Sequence, residues 1–160
     1  MKGILVIVQK INEYMQVISG VALTFIVFLT TADVILRAFG HPITGTYEIV
    51  AMCGGIVIGF VMPITAWLRG QIYVDFVVKK FPPPVQNVVN VITRCVGIGI
   101  FTLVGLNVVK IGNDFLRAGE ISSSLQLPLY PIAYAVAFSF FVLAAVLVCD
   151  ILKISGGKYE

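Results

Sequence analysis

Two carboxylates and a guanidinium stand close together in "TTADVILRAFGHPITGTYEIV", residues 30–50: Asp33, Arg37 and Glu48. Paired carboxylates can divide acid and base roles, and an acid within a membrane can carry a proton or a cation. A carboxylate–guanidinium pair can also simply clamp two segments together. Catalysis requires in addition a nucleophile with its base, or a metal cluster, and neither accompanies these residues. His41 is the single histidine of the chain, so a haem held by two of its own histidines is excluded and a His-based zinc site is disfavoured. Cys53, Cys95 and Cys149 are odd in number, lie inside apolar runs and form no CxxC, so they read as unpaired small hydrophobes. The chain therefore reads as a non-enzyme, with no cofactor and no metal site of its own.

Something must hold these charges beside long apolar runs, and composition says what. Of 160 residues 59% are hydrophobic and 12% charged, with a mean hydropathy of +1.01. A soluble domain carries about 25% charged residues, and a soluble chain this apolar would expose large aggregating patches. The reading is an all-α integral membrane protein in a single membrane domain, residues 1–160, with lipids as its surroundings. The formal net charge is +3, without the Lys/Arg-rich block that nucleic-acid binding uses.

Four stretches supply the 20 or so apolar residues a transmembrane helix needs: about 14–37, 47–68, 88–111 and 129–152. Gly40, Pro42 and Gly45 predict a tight turn between the first two. Residues 3–13 read as an interfacial lead-in. The segment at about 72–81, with Asp75, Lys79 and Lys80, is too short to cross and predicts a short interfacial helix, stopped by Pro82, Pro83 and Pro84. Most Lys and Arg fall in the two tails and in the loop between the second and third spans. The positive-inside rule then places both termini in the cytoplasm. Ala51, Gly55 and Gly59 recur every fourth residue, a stripe that admits close helix packing against this chain or a partner. Gly97 and Gly105 are looser candidates, and Pro63 is expected to kink the second span.

The four span midpoints fall near Phe25, Val57, Ile100 and Phe141, away from any ionisable side chain. A carrier or pump places such groups near the midplane. Asp33 and Arg37 share a helix face at i,i+4 spacing, Glu48 opens the next span, and Lys110 and Asp114 end the third. These five charges gather on the outer rim, as an internal clamp or as contacts to a partner. At the other end, Arg94 either pairs with Asp150 or snorkels to headgroups.

The pattern "DVILRAFGHPITGTYEIV", then Gly59, then "RGQIYVDFVVKKFP", then "SSSLQLPLYPIAY" resembles the small membrane subunit of tripartite ATP-independent periplasmic (TRAP) transporters over nearly the whole chain. Arg37 and Glu48 match the family's Arg and Glu around the first turn, and Asp75 matches the Asp of its cytoplasmic segment. Gln71 stands where the family often has a His. The resemblance implies a bacterial or archaeal inner-membrane protein. It implies a scaffold for a large elevator-type carrier subunit, which would bind the sodium ions. It also implies a periplasmic substrate-binding protein that delivers an organic acid, such as a C4-dicarboxylate or a sugar acid. Two other readings compete with it: an autonomous four-helix carrier, which lacks its midplane carboxylate here, and a membrane anchor for a redox enzyme, which lacks its histidines.

Overall fold

The computed structural model describes residues 2–68 and 83–155. Within them the chain is all-α, with four helices long and apolar enough to span a membrane. The expected interfacial helix at 72–81, with Asp75, Lys79 and Lys80, lies outside the described residues.

Helix α1 runs Lys2–Ala38, so the expected lead-in is not a separate element. No Pro interrupts residues 3–37, and Val8, Asn12, Met15 and Ser19 form one buried stripe that continues through the lead-in. The helix stops at Gly40, whose φ of +80° is left-handed. The amide of His41 donates to the Leu36 carbonyl at 2.9 Å and that of Gly40 to Arg37 at 3.1 Å, which satisfies carbonyls the helix end leaves open. Helix α2 spans Thr46–Trp67 and continues through the buried Pro63.

Helix α3 spans Pro83–Ala118, starting earlier and ending later than the sequence suggested. Proline stops a helix that arrives from its N-terminal side, but it suits the first turn of one that departs, where its missing N–H has no partner to lose. Pro83 and Pro84 therefore open α3. Helix α4 spans Tyr130–Ser155.

The helices form a bent row, in the order α1, α2, α4, α3. Helix α3 packs along α4, α4 along α2 and α2 along α1, while α1 touches α4 only lightly. Of the two inner helices α4 is the more buried: 50% of its most apolar window is buried, against 11–22% in the other three. Glycines set the spacing. A Cβ on Gly59 would lie 3.1 Å from Ser139 Oγ, and one on Gly105 would lie 3.3 Å from Phe140 Cβ. On α3, Gly97 and Gly112 likewise face Leu147 and Tyr134 of α4.

At the end of the row nearest the termini, Val8, Ala66, Leu143, Val146 and Cys149 form a buried cluster, with Trp67 and Phe101 against it. Beside it the Arg94 Nε–H donates to Asp150 Oδ2 at 2.7 Å, with both residues buried. Of the two alternatives left open for Arg94, the structure takes the ion pair. Asn12 is 0% exposed and, among the described residues, neither of its side-chain polar atoms has a hydrogen-bond partner.

Candidate functional site

The rim opposite the termini carries the α1–α2 turn and the α3–α4 connection. Asp33 organises the turn. Its Oδ2 accepts from Arg37 Nη2 at 2.7 Å, and its Oδ1 accepts from the Ile43 amide at 2.9 Å. The i,i+4 spacing sets the first contact; Gly40 makes the second possible by reversing the chain towards α1. Thr46 Oγ1 then donates to the Ile43 carbonyl at 3.0 Å, which fixes the entry to α2. Asp33 is 5% exposed, whereas the Arg37 side chain is 51% exposed and rests over the Tyr47 ring at 5.8 Å. One carboxylate thus closes the hairpin, and about half of the Arg37 side-chain surface remains exposed.

Glu48 does something else. It sits in the first turn of α2, and its carboxylate is held by the α3–α4 connection, residues 119–129. Its Oε2 accepts from the Ser122 hydroxyl at 2.6 Å and from the Leu125 amide at 3.0 Å, and its Oε1 accepts from the Ser124 amide at 2.7 Å. A carboxylate offers about four lone-pair sites and no donor, so it fits a cradle built wholly of donors. The connection itself folds back: Ile121 and Pro128 bridge, the Ser122 amide donates to the Leu127 carbonyl at 2.9 Å, and Gln126 takes a left-handed φ of 53°. Leu125 seats over Gly45, where a Cβ would stand 2.5 Å from Leu125 Cγ. The φ of +82° at Gly45 disfavours a side chain independently.

The five rim charges therefore do not form one cluster. Asp33 and Arg37 make the turn, Glu48 binds the α3–α4 connection, and Lys110 and Asp114 are exposed on α3 and join neither group. Ser122, Ser124 and Leu125 were not anticipated as Glu48 partners. Their signal was present in "SSSLQLP", a small polar run able to present donors, but no sequence spacing ties it to a residue more than 70 positions earlier. On α2, Gly59 meets Val136 and Ser139 of α4, and Gly55 faces Ile132 at 3.8 Å, so these two lie against this chain's own helix. Ala51 is exposed and borders a shallow groove with Ile132 and Val136.

The family description "Tripartite ATP-independent periplasmic transporters, DctQ component" matches residues 26–156, from the middle of α1 to the end of α4. The chain belongs to this family. Comparison with curated proteins and with solved structures gave no significant match. As a DctQ component it is a small membrane subunit of a TRAP transporter, a multi-pass membrane protein in a family of transport components rather than enzymes. The matched region contains the α1–α2 turn, Glu48 and the connection it grips. This DctQ chain thus holds its rim together with the residues around which its sequence resembles the family.

Proposed function

We propose that this chain is the stationary scaffold subunit of a sodium-coupled TRAP importer for an organic acid. The observation that carries this reading is the Glu48 cradle, which fixes α2 to the α3–α4 connection and makes a stiff rim. A carrier domain that moves like an elevator needs a neighbour that stays still, and a row of helices locked at one rim supplies one. Both termini lie in the cytoplasm in this reading, by the distribution of Lys and Arg. The rim bearing Glu48 then faces the periplasm, where a soluble binding protein delivers substrate. Sodium ions and substrate bind the large subunit, and this chain contributes no ligands to them. The exposed half of Arg37, with Tyr47, is a contact offered to a partner on that side.

The test is co-purification and uptake. In mild detergent the large subunit should travel with this chain. Glu48→Ala should reduce complex yield and uptake together while the order of preference among competing organic acids stays the same. A changed preference would place this chain in substrate selection and overturn the scaffold reading.

A further inference from the structure

Helix α3 sits at an edge of the row, and its two faces differ in kind. Gly97, Phe101, Gly105 and Gly112 face α4. On the far side a second line of residues advances by alternating steps of four and three: Val96, Ile100, Leu103, Asn107, Lys110 and Asp114, all exposed. That spacing keeps the line on one face and gives the seam along which a second helix packs.

Asn107 is what separates this seam from a lipid-facing surface. Gly105 lies against Phe140 and Gly112 against Tyr134, so Asn107 is level with the part of α4 between them. That is within about one turn of the middle of the apolar stretch Tyr130–Leu152. There the Asn107 Nδ2 donates to the Leu103 carbonyl at 3.0 Å on its own helix. An amide carries two donor hydrogens and a carbonyl acceptor, so one N–H and Oδ1 remain open among the described residues. Hydrocarbon cannot satisfy them. The outward hydroxyls of α1 make the contrast. Thr24 and Thr31 each direct their single hydrogen to a carbonyl one turn back, at 2.9 and 2.7 Å, and so are compatible with lipid.

We propose that this α3 seam seats a transmembrane helix of the large membrane subunit, with Asn107 hydrogen-bonded across the interface to a polar side chain at its own depth. The identity of the partner rests on the transporter reading above; the location of the seam does not. A second copy of this chain fits poorly. Two copies inserted in the same direction, related by an axis along the membrane normal, would set Lys110 against Lys110 and Asp114 against Asp114. A heterologous helix can oppose both with complementary charge.

The test places a photo-crosslinking amino acid at Leu103, on the seam, and at Val21, on the outward face of α1, in cells making the complete transporter. Leu103 should capture the large subunit and Val21 should not. If the large subunit co-purifies but Leu103 captures only lipid or a second copy of this chain, the seam is wrong while the transporter reading stands. If the large subunit does not co-purify at all, both are wrong. A companion measurement uses Asn107→Leu. It should lower large-subunit recovery about threefold to tenfold, as expected for one interhelical amide bond. It should leave the melting of the isolated chain unchanged, since among the described residues Asn107 bonds only within α3. Recovery equal to that of the parent protein would overturn the amide's role.

Discussion

At the scale of single residues, Glu48 and Asp33 show how a carboxylate's surroundings select its task. Asp33 lies within reach of a guanidinium and a turn amide and becomes the lock of a hairpin. Glu48 meets a hydroxyl and two amides and becomes the anchor of a distant loop. Glu48→Gln keeps the size but exchanges an acceptor for a donor, so one of the three contacts must be lost. Hydrogen exchange at Ser124 or Leu125 should then quicken by about tenfold to a hundredfold, the scale of one hydrogen bond to a charged group. Unchanged protection at both amides would show that the loop holds itself. Gly45→Ala should cost about 1–2 kcal/mol from its left-handed backbone alone, with a further loss from the clash with Leu125. Adding Leu125→Ala should recover the second part and not the first, as read from melting of the purified chain.

At the scale of elements, the helices were legible where apolar runs are long, and their ends were not. Four spans follow from hydropathy alone, but α1 begins well before its apolar core and α3 extends to Ala118. The buried stripe through Val8, Asn12 and Met15 extends α1, because tertiary packing stabilises a lead-in of modest hydropathy. Because α3 continues to Ala118, Lys110 lies about two turns inside its rim end and not at it. The glycine stripe could be read from spacing, but which helix it faces could not, since periodicity gives a face and not a neighbour. Gly59→Leu should break α2–α4 packing and lower the yield of folded chain, whereas Gly55→Ala should be tolerated, its nearest contact being 3.8 Å away. Asp150→Ala removes the carboxylate that accepts from the buried Arg94 Nε–H. The loss of this charged hydrogen bond should cost on the order of 2 kcal/mol, measured as a fall in stability to added denaturing detergent. A loss below about 1 kcal/mol would mean that Arg94 reaches the headgroups instead.

At the scale of the whole molecule, the bent row has a functional meaning that a closed bundle would not. Closing four helices on themselves minimises outward surface, whereas a row presents two broad flanks and two edges. The ionisable residues of the described helices lie towards span ends, so no evident relay of charges crosses the row. Sealed vesicles containing only this chain should therefore show no more sodium-driven uptake of a dicarboxylate than empty vesicles. Solute flux through them would remove the basis of the scaffold reading. None of this shape was visible in the sequence, because hydropathy reports how many helices there are and not which ones touch.

The contact between α2 and α4 recurs at separate heights. Glu48 grips the connection that leads into α4, and lower down Gly59 lies against Ser139. Two rods joined at two points cannot pivot about either, so this inner pair behaves as a beam. Any tilting forced on the protein by a neighbour's travel must be absorbed by α1, which touches α4 only lightly, since α3 is joined to α4 at Gly97, Gly105 and Gly112 and by the Arg94–Asp150 pair.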